Sequence, residues 1–187
     1  NSRKNDNIGL TIFAGESFTQ CPLTIDHAVV LNMLNAVKCD IAMNGVIEDG
    51  TAIGMGIANA VSRLKESKAK SKVIILLTDG SNNSGEISPE AAAEIAKEFG
   101  VRIYTIGVGT NNQTAPFPYG GEIINVPVEI DETTLTNIAK ITNGRYYRAT
   151  SKESLGEIYS EIDKLERTIL QAKQFNAYHE EYHIFAL

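Results

Sequence analysis

The chain is poor in positive charge: its 187 residues include 17 lysines and arginines against 23 aspartates and glutamates, a formal net charge of −6. This balance argues against a sequence-independent nucleic-acid binder, because neutralising phosphates requires a basic surface. The sequence also lacks a run of roughly 18 apolar residues that could span a membrane, and it opens without a recognisable signal peptide. With 43% hydrophobic residues, it predicts one globular domain with a full-sized core.

Cysteine is scarce, and the two cysteines do not define a disulfide framework. Cys21 falls in an extended segment and Cys39 follows a helical one. We expect both to be free, buried thiols, because a domain of this length needs no covalent staple.

Histidine is equally scarce, and two of the three histidines form one short motif. His179-Glu-Glu-Tyr-His183 matches the H-E-x-x-H signature of zinc proteases, in which two imidazoles on one helix face share a zinc ion. No third ligand follows in the chain, and the motif lies beyond the compact domain. We expect a solvated linker that binds Zn²⁺ or Ni²⁺ adventitiously, rather than a protease site.

The longest aliphatic run marks the centre of the predicted fold. Residues 73–77, Val-Ile-Ile-Leu-Leu, are typical of a strand buried on both faces of a parallel sheet. The run breaks into Thr78-Asp79-Gly80, which puts a carboxylate at the carboxyl end of the strand. Open α/β sheets bind their ligands at that edge.

Strands and helices alternate regularly after residue 72, which indicates βαβ units. The sequence predicts a Rossmann-like, doubly wound α/β domain over residues 1–170, with a mostly parallel sheet and helices on both faces. Residues 171–187 are predicted to be a linker that could be juxtamembrane. The predicted strands are 8–14, 17–21, 73–77, 101–107 and 146–149, and residues 110–128 are a long loop or small hairpin. The predicted helices are 27–37, 51–67, 88–99, 131–142 and 150–170.

Four of these helices carry more specific predictions. Gly54 and Gly56 lower helix propensity, which suggests that something packs or binds close to the backbone there. Thr150 and Glu153 match a capping box. Two apolar stripes are predicted to face the core: Val29, Val30, Met33, Leu34 and Val37 in the first helix, and Ala92, Ile95, Ala96 and Phe99 in the third.

A second polar turn, Glu48-Asp49-Gly50-Thr51, precedes the helix at 51–67 and can meet Asp79. A hydroxyl and a carboxylate on adjacent loops are hard oxygen ligands, which suit Mg²⁺, Mn²⁺ or Ca²⁺ rather than zinc. Simpler interpretations stay open: Asp79 as part of an Asp-Gly turn, and Thr51 as a helix cap. The predicted metal ligands are Thr51 and Asp79, and the flanking residues are Asp49, Gly50, Gly80 and Ser81.

Two enzymatic interpretations compete with this one. Asp79 could be the carboxylate of a phosphoryl-transfer or metal-hydrolase site, but the strand at 101–107 runs into Gly107-Val-Gly109 and lacks the lysine that phospho-acceptor folds need. Gly54-Met-Gly56 matches part of a dinucleotide fingerprint, but it lacks the third glycine and follows a turn rather than a strand.

Three segments, taken in order, resemble the von Willebrand factor A (VWA) family: Asp49-Gly-Thr-Ala-Ile-Gly54, Leu76-Leu-Thr-Asp-Gly80 and Ile103-Tyr-Thr-Ile-Gly-Val-Gly109. The segments at 13–23 and 48–56 more closely resemble the bacterial aerotolerance (Bat) proteins. The likeness extends to about residue 170, and it depends on the order and spacing of motifs that are weak individually.

The resemblance implies a metal-ion-dependent adhesion site (MIDAS) built from Asp-x-Ser-x-Ser, a threonine and an aspartate. Thr51 resembles the second element and Asp79 the third, but the first is absent. Asp79-Gly-Ser-Asn-Asn83 imitates it, yet ends in asparagine and follows the wrong strand. The resemblance therefore implies that the chain begins inside its domain, after the family's first strand and helix, and that this chain alone binds metal weakly or not at all.

In the family, the absent strand lies between those resembling 8–14 and 73–77. Without it two buried strand edges lose their partners, and unpaired buried amides are costly. We expect the chain to close the gap by direct pairing of these strands, by swapping or by dimerising.

The resemblance also implies a function. The domain would be a non-enzymatic module that binds a protein partner, and the partner would offer an aspartate or glutamate to the metal. The likeness to Bat proteins implies anchoring in a bacterial inner membrane through segments outside this chain, with the domain facing the periplasm. It also implies a role in stress tolerance, aerotolerance or envelope-complex assembly. A structural module with a vestigial site is the remaining alternative.

Overall fold

A computed structural model describes residues 6–37, 49–109, 114–119, 122–127 and 130–182, with side chains described through 109 and from 130 to 170. The strands and helices follow the predicted order closely. They are β1 Ile8–Phe13, β2 Ser17–Thr24, α1 His27–Asn35, α2 Ile53–Leu64, β3 Lys72–Thr78, α3 Pro89–Glu98, β4 Val101–Val108, β5 Thr114–Tyr119, β6 Glu122–Pro127, α4 Glu132–Ile141, β7 Tyr146–Ala149 and α5 Lys152–Tyr182.

The strands form three separate groups. β3, β4 and β7 make a parallel sheet in that order, with Thr78 opposite Gly107 at the end of the β3–β4 ladder. β1 and β2 pair antiparallel, and β5 and β6 form an antiparallel hairpin within the predicted loop or hairpin at 110–128. The predicted α/β fold with a parallel sheet is confirmed.

Successive residues of β3 and β4 face opposite sides of the sheet and pack into two different hydrophobic clusters. Both faces of the strands are therefore covered, as their continuous apolar sequences predict. One cluster contains Leu76 and Ile103 and is covered by apolar residues of α2, α3 and α4. The other contains Tyr104 and Ile106 and is covered by Ile158 and neighbours on α5. The prediction of helices on both faces is therefore confirmed.

Among the described residues, β1 and β3 are not hydrogen-bonded to each other. Both strands instead pack against α2, which joins the β1–β2 hairpin to the parallel sheet. Direct pairing, one of the three ways in which the chain was expected to close this gap, is therefore not formed.

The first apolar stripe was placed wrongly. α1 contacts only the β1–β2 hairpin, and none of its residues is buried among the described part of the chain. Met33 and Leu34 of that stripe are 41% and 49% exposed. In α3 the alanines of the stripe are buried, but Ile95 and Phe99 lie on the exposed side because the short side chains alone fit against α2.

Three helix starts are confirmed, and those of α2 and α5 are shifted. Asp26, Ser88 and Asp131 each accept a hydrogen bond from a backbone N–H of the following turn, as N-cap residues do. The predicted capping box at Thr150 and Glu153 is wrong by one residue. Ser151 Oγ accepts from the Ser154 N–H, and Ser154 Oγ accepts from the Ser151 N–H. The serine hydroxyl replaces the carboxylate because it reaches back over the same distance.

The close approach predicted at the two α2 glycines is confirmed. A Cβ on Gly54 would lie 2.0 Å from the Ile87 carbonyl oxygen, and one on Gly56 would lie 2.9 Å from the Phe13 ring. Both glycines therefore let other segments pack directly on the helix backbone.

Three further expectations concern the ends of the chain and the thiols. α5 continues as a helix through Tyr182, so the backbone stays helical across residue 170, where the sequence analysis placed the end of the domain. Residue His183 and the side chain of His179 lie outside the described part, as does Cys39. Cys21 is a free, buried thiol, as expected.

Candidate functional site

The site begins where β3 ends. The Thr78 hydroxyl accepts a hydrogen bond from the Gly80 N–H and lies 3.2 Å from the Gly80 carbonyl oxygen, so it closes the turn that carries Asp79. Asp79 itself is exposed, and Ser81, next along the loop, is half-buried. A buried strand thus fixes the backbone of a carboxylate that faces solvent.

Thr51 lies against this turn. A Cβ on Gly80 would be 3.4 Å from Thr51 Oγ1, which is van der Waals contact. The Thr51 segment is also tied to the end of β1, because the Ala52 N–H donates to the Ala14 carbonyl at 2.6 Å. The hydroxyl and the Asp79 turn are therefore brought together at the carboxyl edge of the sheet, as the sequence predicted.

Two asparagines of the loop after β3, for which the sequence analysis predicted no role in the site, hold the two loops together. Asn83 Oδ1 accepts from the Thr51 N–H at 2.7 Å, and Asn82 Oδ1 accepts from the Ile53 N–H at 2.8 Å. The N-cap of α2 is Ala52 and not Thr51, so the capping alternative for Thr51 is wrong. Alanine has no side-chain acceptor for the first N–H groups of a helix, so another segment must supply one. Ala52 was therefore the feature of the sequence that could have indicated the role of Asn82.

Two of the four predicted flanking residues, Asp49 and Gly50, line a shallow concavity, whereas Gly80 and Ser81 do not. Its walls are Asp49, Gly50, Thr51, Asn83 and Ser84. Asp79 lies outside that lining, at the strand end. Asp49 is exposed, so its carboxylate adds negative charge at the rim.

The two candidate ligands are of the chemical type that a hard divalent cation prefers, but they are fewer than such a cation needs. Thr51 offers a hydroxyl and Asp79 a carboxylate, the oxygen ligands that Mg²⁺ and Ca²⁺ take. Within the described ranges, no group of three or more histidine, cysteine, aspartate or glutamate side chains could hold a metal ion. These two side chains would leave most of the coordination shell to water or to ligands from elsewhere.

A second polar cluster lies at the opposite edge of the sheet. The buried Glu166 carboxylate of α5 accepts hydrogen bonds from Arg102, Tyr104 and Ser71 at 2.5, 2.8 and 2.8 Å. Burial opposes the charge, but these hydrogen bonds together hold the pKa of Glu166 below its usual value. Burial and the neighbouring Glu166 raise the pKa of Tyr104. This cluster joins α5 to the sheet at its amino edge, far from the Asp79 turn.

The chain belongs to the von Willebrand factor type A domain family, whose profile matches residues 1–161. An uncharacterized protein of Borreliella burgdorferi is 33% identical over 177 residues, which are 89% of this chain and 50% of that protein. The chain thus spans about half the length of this curated relative. The family predicted from the sequence motifs is confirmed.

Three solved structures share the fold. BatB from Bacteroides thetaiotaomicron is 30% identical with a TM-score of 0.69, covering 87% of this chain and 80% of that one. An aerotolerance-related membrane protein from Bacteroides fragilis is 29% identical with a TM-score of 0.67, covering 86% and 80%. Proximal thread matrix protein 1 from the mussel byssus, with a zinc-occupied MIDAS motif, is 27% identical with a TM-score of 0.64, covering 87% and 36%.

The membrane association named for one of these neighbours has no counterpart in the described helices. Each helix in the described part of this chain is either too short or too polar to cross a bilayer.

Proposed function

We propose that this domain is a non-enzymatic, metal-dependent protein-interaction module in which Thr51 and Asp79 bind Mg²⁺, Mn²⁺ or Ca²⁺. The observation that carries the proposal is the position of the Thr51 hydroxyl, 3.4 Å from where a Cβ on Gly80 would lie, directly after Asp79. A bound cation supplies an electrophilic position that an aspartate or glutamate of a protein partner can fill. The zinc-occupied MIDAS motif of the mussel protein, which shares the fold, supports a metal site in this domain.

We also propose that the parent protein is a Bat-type protein anchored in the bacterial inner membrane through segments outside this chain. In this proposal the domain faces the periplasm and acts in stress tolerance, aerotolerance or the assembly of an envelope complex. The likeness to BatB and to the aerotolerance-related membrane protein supports the assignment.

One observation favours a second function. The described residues include two that resemble elements of the family's metal site, but no group of three or more histidine, cysteine, aspartate or glutamate side chains that could hold a metal ion. A structural module whose site no longer binds metal would show the same donor set.

Calorimetric titration of Mg²⁺, Mn²⁺ and Zn²⁺ distinguishes the two functions. The proteins compared are the full-length protein, its Asp79→Asn and Glu86→Gln variants, and the isolated 187-residue chain. Glu86 is an exposed acid on the same loop as Asp79 but is not a predicted ligand. The Glu86→Gln variant therefore controls for the loss of one negative charge from the loop.

The proposal predicts that the full-length protein and the Glu86→Gln variant bind Mn²⁺ equally. The Asp79→Asn variant and the isolated chain should bind at least about tenfold more weakly, because each lacks part of the ligand set. Equal or absent binding in all four proteins would overturn the metal mechanism and leave the structural module.

A further inference from the structure

One residue of the loop after β3 satisfies both backbone polar groups of Thr51. Asn83 Oδ1 accepts from the Thr51 N–H at 2.7 Å, and the Asn83 N–H donates to the Thr51 carbonyl at 3.1 Å. The Ser84 hydroxyl also donates to Asn83 Oδ1, at 3.1 Å, which fixes the orientation of the asparagine side chain. Thr51 is therefore held on two sides by a single residue that is distant in sequence.

Asn82 makes the neighbouring contact for a different purpose. Because Ala52 has no side-chain acceptor, the first N–H groups of α2 need one from elsewhere. Asn82 Oδ1 supplies it by accepting from the Ile53 N–H. Asn82 thus stabilises the start of the helix, whereas Asn83 fixes the residue that precedes it.

Close packing prevents the loop from sliding along α2. Gly50 has φ 139°, and a Cβ there would lie 2.1 Å from Ser84 Oγ. At the far end of the loop, Gly54 packs against the Ile87 carbonyl oxygen. The loop that carries Asp79 therefore contacts the residues around the start of α2 at Ser84 and again at Ile87.

We infer that Asn83 is a positioning residue for the metal site: it holds Thr51 where the hydroxyl meets the turn at Gly80, beside Asp79. The inference rests on the proposed function, although the contact between Asn83 and Thr51 exists without a metal. A residue that orients a metal ligand affects metal affinity without touching the ion. When it is substituted, the ligand can leave its position, and returning it to that position opposes metal binding.

The experiment compares Asn83→Ala, Asn83→Asp and Asn82→Ala in the full-length protein by two measurements. The exchange rate of the Thr51 amide proton, measured by NMR, tests the contact and needs no metal. The affinity for Mn²⁺, measured by calorimetry, tests its consequence for the site. Thermal unfolding of each variant shows how far general stability has changed.

We expect Asn83→Ala to speed exchange of the Thr51 amide and to weaken Mn²⁺ binding by at least about tenfold. The Asn83→Asp variant retains the acceptor oxygen, so the Thr51 amide should stay protected. The Asn82→Ala variant should lose protection at Ile53 and unfold at a lower temperature while keeping its Mn²⁺ affinity.

Two results would overturn the inference: unchanged exchange of the Thr51 amide in Asn83→Ala, or equal loss of Mn²⁺ affinity in the Asn82 and Asn83 alanine variants. Equal losses would report general damage to the loop. If the unsubstituted protein binds no Mn²⁺, the proposed function and the role of Asn83 in metal binding both fail. The exchange rate of the Thr51 amide still decides in that case whether Asn83 fixes Thr51.

Discussion

Glu166 of α5 forms an ion pair with Arg102 at the start of β4, with Oε1 and Nη1 2.5 Å apart. The carboxylate side chain is 3% exposed and the arginine side chain 19%. This pair, completed by Tyr104 and Ser71, connects the last helix to the sheet across the amino edge. α5 is therefore held by a buried charge as well as by its apolar stripe.

The Glu166→Gln substitution should destabilise the domain by about 3 kcal/mol. This is the lower end of the cost of breaking a buried ion pair, since Arg102 can still reach some solvent. Urea unfolding at pH 7 measures the loss. The control is Glu161→Gln, which removes an exposed pair with Arg145 and should cost less than about 1 kcal/mol. Equal losses in the two variants would show that burial of Glu166 contributes nothing.

The same carboxylate should make stability fall in acid. Because the folded pKa of Glu166 is lowered, its stabilising contribution is complete above the unfolded pKa of about 4.3 and is lost as the pH falls through the folded value. Hydrogen bonds from Thr134 lower the pKa of Asp131, which contributes with the same sign.

Urea midpoints measured between pH 3 and pH 7 check this. The unsubstituted protein should lose stability steeply below about pH 4.3, and the Glu166→Gln variant less steeply. Parallel curves would assign the acid sensitivity to other carboxylates.

The features of the fold and site that could be predicted are those set by residues close together in the sequence. The aliphatic run of β3 and the Asp79 that follows it are a local pattern, and both were found. The acceptor for the Ile53 N–H comes from Asn82, 29 residues away, so no local pattern reveals it. The apolar stripe of α1 was equally clear, but which face a helix buries depends on what packs against it. Met33 and Leu34 of that stripe stay exposed among the described residues.

The two α2 glycines should respond very differently to alanine. In Gly54→Ala the new methyl group would meet the Ile87 backbone carbonyl, which cannot rotate away, so we expect a net loss of about 2 kcal/mol despite the better helix propensity of alanine. In Gly56→Ala the methyl group meets the Phe13 ring, which can shift, so the change should be within about 1 kcal/mol. Chemical denaturation of both variants measures the difference. Similar losses would mean that the Phe13 ring is as rigid as the backbone.

The unpaired edges of β1 and β3 give the last prediction. Within the described residues both strands contact α2 and are not hydrogen-bonded to each other, and unpaired edges of apolar strands favour pairing with another chain. We therefore expect the isolated 187-residue chain to dimerise as its concentration rises, with pairing or swapping at these edges. Because backbone hydrogen bonds and apolar contacts would hold the dimer, added salt should not dissociate it.

Light scattering over a hundredfold range of concentration measures the association, and amide exchange identifies the strands involved. In the dimer, the amides of β1 and β3 should gain protection together, whereas those of β4, already paired on both sides, should not change. The full-length protein is the control and should associate less if segments outside this chain cover the edges. A chain that stays monomeric throughout, with amides of β1 and β3 as protected as those of β4, would mean that the two strands pair directly in solution.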